Sequence, residues 1–124
     1  MNTAINCPKC KTTTMATVRF KRANVDRCPQ CNGIWFDLLE KDDLQKTKGA
    51  EAIDVGARTA KTSSAGQELQ CPRCHTQMSS MQDLRQPLVV FEKCSVCSGI
   101  FFDAGEFADL KKMSLKEYLR DLLT

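Results

Sequence analysis

Apolar and polar residues alternate along residues 14–21. Ala16, Val18 and Phe20 fall on one side, and Thr17, Arg19 and Lys21 on the other. A period of two over this length predicts a half-buried strand. Lys21-Arg22-Ala23-Asn24 suits a turn, and residues 25–28 a short returning strand. A second pair of the same kind is expected over residues 78–84 and 88–93, around a turn near Arg85-Gln86-Pro87. The run Leu88-Val89-Val90-Phe91 is the strongest strand signal in the chain. The period then changes. A helix is expected after Trp35-Phe36 and another after Phe101-Phe102. Asp37 and Asp103 stand at the N-cap positions, with Glu40 and Glu106 three residues later, as in a capping box. The first helix should fade near Gly49 and the second should run to Met113-Ser114. Ser114 and Glu117 offer one more box. Leu115, Tyr118, Leu119, Leu122 and Leu123 follow at helical spacing, which predicts an amphipathic C-terminal helix over 114–124.

The pattern is a repeat. Cys7-Pro8-Lys9-Cys10 and Cys28-Pro29-Gln30-Cys31 are matched by Cys71-Pro72-Arg73-Cys74 and Cys94-Ser95-Val96-Cys97. Gly33-Ile34-Trp35-Phe36-Asp37 is matched by Gly99-Ile100-Phe101-Phe102-Asp103, and Glu40 by Glu106. Two tandem units explain this most simply. Residues 1–48 form the first unit with its helix, and residues 67–113 the second. Between them, residues 49–66 are small and polar apart from Ile53 and Val55. They read as a linker, helical at its start and flexible through Lys61-Thr62-Ser63-Ser64-Ala65-Gly66, which leaves the orientation of the two units unfixed.

Cysteine count is the one strong deviation in a chain of 124 residues that is otherwise globular, with 42% hydrophobic and 27% charged residues. The eight cysteines lie in four Cys-x-x-Cys knuckles, paired at the spacing of a four-cysteine zinc site. A tight knuckle sets two sulfurs on one side of an ion. The hairpin brings back the other two, closing a tetrahedron at Zn–S of about 2.3 Å. Four protein ligands leave no position for water or substrate, so two structural Zn2+ per chain are expected rather than catalytic ones. Units this small bury too little apolar area to fold alone, and zinc binding of roughly 10–16 kcal/mol supplies the difference. Residues 1–10 hold no apolar run fit for a signal peptide, and no stretch has the length of a membrane span. A cytoplasmic protein with reduced thiols is therefore expected, and disulfides are disfavoured. Cys71-Pro72-Arg73-Cys74-His75 also matches a c-type haem attachment pattern. Its equivalence to Cys7–Cys10, followed by Lys11, argues against haem and makes His75 a solvated residue at the knuckle tip. Iron is the other ion that such a sulfur site accepts.

The hairpin and Val25-Asp26-Arg27-Cys28-Pro29-Gln30-Cys31-Asn32-Gly33-Ile34-Trp35-Phe36-Asp37 resemble the bacterial zinc-ribbon family related to the ribbon of transcription factor IIB. The stretch from Phe91 through Cys94 and Cys97 to Glu106 is similar to it again. The resemblance covers both units and leaves out the linker and the last helix. It implies two tandem zinc ribbons, a small metal-stabilised α+β fold in which each short antiparallel sheet is followed by a helix, and an association with transcription. Two departures stand out. Ser95 occupies the place of Pro29, and Lys11 and His75 stand where the family often has Gly.

Charge modifies the functional reading. Ionising the thiols and adding two dications turns the formal net charge of +3 slightly negative, so only local charge argues for a polyanion. An excess of basic residues gathers on the first hairpin at Lys11, Arg19, Lys21, Arg22 and Arg27. Arg19, Lys21 and Arg22 are the candidate phosphate contacts. A solvated, aggregation-resistant strand edge is the plainer alternative. Trp35-Phe36 and Phe101-Phe102 are either stacking platforms for bases or the small core beneath the ribbons, with core favoured. No catalytic constellation is present, so no enzyme is expected. Two functions stay in play: a nucleic-acid or transcription-associated ribbon protein, and a protein–protein adaptor using the ribbon edges, aromatics and last helix. Residues 114–124 are also a candidate homodimer contact.

Overall fold

A computed structural model describes residues 4–21, 23–37, 44, 47–55, 68–83 and 86–110. Six strands form one antiparallel sheet in the order β1-β2-β3-β6-β5-β4. In the first unit these are β1 (Ala16–Phe20), β2 (Ala23–Arg27) and β3 (Ile34–Phe36). In the second they are β4 (Ser79–Asp83), β5 (Gln86–Lys93) and β6 (Ile100–Phe102). The expected hairpins are present. β1 pairs β2 with Val18 opposite Val25, and β4 pairs β5 with Met81 opposite Phe91.

The expectation of two units with no fixed orientation is corrected by the centre of the sheet. β3 of one unit pairs antiparallel with β6 of the other, setting Ile34 opposite Phe102, Trp35 opposite Phe101 and Phe36 opposite Ile100. In a separate unit β3 would be an apolar edge with unpaired backbone groups, an open template for aggregation. Pairing with its own repeat removes both edges at once.

Because side chains alternate across a strand, the central strands feed two cores. Ile34, Phe36, Ile100 and Phe102 point to one face, where they meet Val25, Leu44, Ala50, Ile53, Phe91, Phe107 and Leu110. The Phe36 and Phe102 rings cross edge to face, with centroids 5.5 Å apart at 87°, and the Phe107 ring lies tilted at 42° with its centroid 4.9 Å from that of Phe36. Trp35 and Phe101 point to the other face and pack among the cysteines. All four rings of the two aromatic pairs are at most 1% exposed, which excludes them as stacking platforms. Burying a Phe side chain contributes about 1.5–3 kcal/mol.

The start of the linker is core rather than spacer. Ala50–Ile53 form a 3₁₀ helix whose Ala50 and Ile53 are buried, and Asp54 follows it. Asp54 changes the expected helix capping. Its Oδ1 accepts the Gly105 N–H at 2.8 Å and its Oδ2 the Ala108 N–H at 3.0 Å. Residues 106–110 are helical, so a carboxylate from the linker accepts N–H groups at the start of this helix. The Asp103 carbonyl accepts the Glu106 N–H at 3.1 Å, and the helix starts after Gly105 at φ 86. Helix in the described residues is limited to this turn, Leu44 and the 3₁₀ segment. The rest of the helices expected after each ribbon, the flexible stretch 61–66 and the C-terminal helix 114–124 lie outside the described residues. No helix among the described residues is long and apolar enough to cross a membrane.

Candidate metal centres and the contacts between them

All four knuckles fold alike. The first cysteine's carbonyl accepts an N–H from the residue after the second cysteine: Lys11 at 2.7 Å, Asn32 at 2.9 Å, His75 at 2.9 Å and Ser98 at 3.0 Å. Those four residues take positive φ, from 61 to 70, which accounts for Gly being at home at this position. The turn aims backbone N–H groups at sulfur. Cys10 donates to Cys7 Sγ at 3.4 Å, Cys31 to Cys28 Sγ at 3.4 Å, Cys74 to Cys71 Sγ at 3.3 Å and Cys97 to Cys94 Sγ at 3.5 Å. Donors aimed at sulfur favour the thiolate.

The sulfurs of Cys7, Cys10, Cys28 and Cys31 lie within 4.8 Å of one another, as do those of Cys71, Cys74, Cys94 and Cys97. Sγ separations are 3.6 Å for Cys7–Cys31, 3.8 Å for Cys10–Cys28 and 3.7 Å for Cys71–Cys97. A zinc tetrahedron with Zn–S near 2.3 Å requires about 3.8 Å between sulfurs. A disulfide requires about 2.05 Å. The two clusters therefore fit two structural zinc ions and no disulfide. The haem pattern fails as well, since Cys71 and Cys74 belong to a four-sulfur cluster and His75 is exposed.

Four sulfurs this close cannot all carry negative charge without a cation. The shared hydrogen bond with Cys31, with burial, holds the Cys7 thiol far above its ordinary range. That same bond draws Cys31 down to about 5. Burial and the neighbouring Cys31 charge push Cys10 up to about 11. In the second cluster burial pushes Cys71 up to about 12 and raises Cys74 too. Against its own burial, Cys94 is drawn down to about 6 by the N–H groups of Cys97 and Val96. A dication among the sulfurs favours ionisation of all four, so metal binding releases thiol protons and acid favours metal loss.

The clusters are tied to each other by a pseudo-symmetric set of contacts that motif reading missed. Arg73, inside the Cys71–Cys74 knuckle, grips Asp37 of the first unit, with Nε to Oδ1 at 2.6 Å and Nη2 to Oδ2 at 2.9 Å. Asp26 Oδ2 lies 3.7 Å from the same Nη2. Lys9, the equivalent residue of the Cys7–Cys10 knuckle, pairs with Asp103 of the second unit at 3.4 Å. Asp37 also accepts the Trp35 indole N–H at 3.0 Å, so its carboxylate orients the inter-unit contact. Burial, and then the Asp37 charge, raise the Asp26 carboxyl, and the Arg73 cation opposes them. Glu92, the counterpart of Asp26, is raised by its own burial while both its oxygens accept from Ser80 Oγ, at 2.9 and 3.0 Å. The equivalence of Lys9 with Arg73 and of Asp37 with Asp103 was visible in the repeat, and it was the one available signal.

Aromatic rings complete the exchange. A Cβ on Gly33 would enter the Phe101 ring, and a Cβ on Gly99 would enter the Trp35 indole. Each glycine closes the second knuckle of its own unit: the Gly33 carbonyl accepts Cys28 N–H at 2.9 Å, and the Gly99 carbonyl accepts Cys94 N–H at 2.9 Å.

The candidate phosphate contacts are far from this centre. Arg19 and Lys21 are exposed at the β1–β2 turn. Arg19 Nε donates to the Lys21 carbonyl at 3.1 Å, and Lys21 Nζ lies 5.7 Å from the Phe20 ring centroid. Arg22 lies outside the described residues. Arg27 is used internally, donating to the Ile53 carbonyl at 2.9 Å.

A family model described as "Transcription factor zinc-finger" matches residues 6–47 and again residues 70–113. Comparison with curated proteins gave no match, and comparison with solved structures gave none either.

Proposed function

The chain belongs to the transcription factor zinc-finger family in two tandem copies, and on that footing we propose that it is a non-enzymatic, nucleic-acid-associated protein that meets phosphates with the β1–β2 hairpin. The supporting observation is how the basic side chains are divided. Lys9, Arg27 and Arg73 are engaged inside the fold. Arg19 and Lys21 are exposed together at one hairpin end, and Arg22 follows Lys21 in sequence. Exposed cations at the end of an edge hairpin suit a polyanion better than an apolar partner. Zinc holds the scaffold and takes no part in chemistry. A protein–protein adaptor is the second reading. It no longer has the aromatics at its disposal, since they are buried.

Binding of zinc-loaded protein to DNA and RNA across a salt titration tests the proposal. Contact through three cations to duplex DNA predicts a log–log salt slope of roughly −3. Changing Arg19, Lys21 and Arg22 together to Glu should abolish binding with zinc content unchanged. Absence of binding at low salt would overturn the proposal and leave the adaptor.

A further inference from the structure

Each of the four zinc knuckles touches the other unit. In the Cys7–Cys10 knuckle the contact is Lys9 to Asp103 at 3.4 Å. In the Cys71–Cys74 knuckle it is Arg73 to Asp37 at 2.6 Å. Gly33 closes the Cys28–Cys31 knuckle and is covered by Phe101. Gly99 closes the Cys94–Cys97 knuckle and is covered by Trp35. Trp35, Phe101 and cysteines of both clusters also share one buried core. The backbone that shapes either sulfur cage is thus the backbone that seats the other unit's aromatic ring and carboxylate.

From this we propose that the two zinc sites are one cooperative unit, in which filling either site raises the affinity of the other. The physical route is short. Without an ion, only weak sulfur–sulfur hydrogen bonds join the two knuckles of a cage, and their fixed geometry loosens. Lys9 and Gly33, or Arg73 and Gly99, then lose their placement. The paired strand of the other unit, Ile100–Phe102 or Ile34–Phe36, is left with an unmatched ring and an Asp that has lost its inter-unit cation. That strand runs directly from the other unit's second knuckle, so the disorder reaches the second cage. Zinc at the first site restores the placement and lowers the ordering cost at the second. The coupling is reciprocal by thermodynamic necessity, and the pseudo-symmetry supplies the same parts in both directions.

The test is native mass spectrometry of reduced, zinc-free wild-type chain given one zinc per chain. Cooperative sites give zinc-free and two-zinc chains, with the one-zinc species well below the about one-half that equal independent sites require. A one-zinc species at or above half overturns the proposal, because unequal independent sites only increase it. A second measurement asks the same question without relying on the distribution. In a chain carrying Cys94→Ser and Cys97→Ser, chelator competition should strip the intact first site at a concentration about tenfold or more below that needed for wild type. Equal resistance to the chelator overturns the proposal as well.

Discussion

Gly33 and Gly99 lack side chains because the space beside each is filled by a ring from the other unit. Neither adopts the left-handed conformation, which is confined among the described glycines to Gly49 and Gly105. The requirement is one of packing. A Cβ at Gly99 would lie within 3.0 Å of three atoms of the Trp35 indole, and the indole is 0% exposed with its N–H held by Asp37. Gly99→Ala should therefore cost about 1–3 kcal/mol, as overpacked cores do. The shift should appear as a lower urea midpoint with zinc present. A wild-type midpoint would mean that the indole moves aside freely. The repeat flagged these glycines and aromatics as equivalent pairs, but it could not say that each pair is completed by its twin. Identical motifs read the same whether a ring packs within its unit or across to the other.

The hairpins were legible as elements because one of their faces is half exposed, which leaves a period of two in the sequence. Strands β3 and β6 were not. Ile34-Trp35-Phe36 and Ile100-Phe101-Phe102 are buried on both faces, so they show no alternation, and at three residues each they are too short for any other strand signal. Asp37 and Asp103 lie next to them and matched a helix cap by spacing alone. Their side chains face cations of the opposite unit, a partnership that cap spacing does not reveal. The carboxylate on the Gly105 and Ala108 N–H groups comes from Asp54, a residue whose role depends on the folded path of the linker and leaves no local pattern. Asp54→Ala should destabilise the protein by about 1 kcal/mol, the usual value of a lost cap. Hydrogen exchange at the Gly105 and Ala108 amides should speed up, while the knuckle amides stay protected. Unchanged exchange at those two amides would remove Asp54 from the capping role.

At the scale of the molecule, the metal chemistry was fully legible and the architecture only in part. Eight thiols at ribbon spacing gave both sulfur cages residue by residue, since ligand geometry fixes the spacing. That the cages belong to one six-stranded sheet was not readable, because a small polar stretch between repeats fits a tether as well as a buried crossing. Ile53, 3% exposed, shows that its first part is a crossing. The central claim is that the two ribbons are one body held by β3–β6 pairing, the exchanged rings and the Arg73–Asp37 and Lys9–Asp103 contacts. The most direct test is to place a protease site among residues 57–66, cleave the zinc-loaded protein and run it on size exclusion under native, dilute conditions. The two pieces should elute together at the position of the uncut chain. Elution as two separate small ribbons would contradict the account.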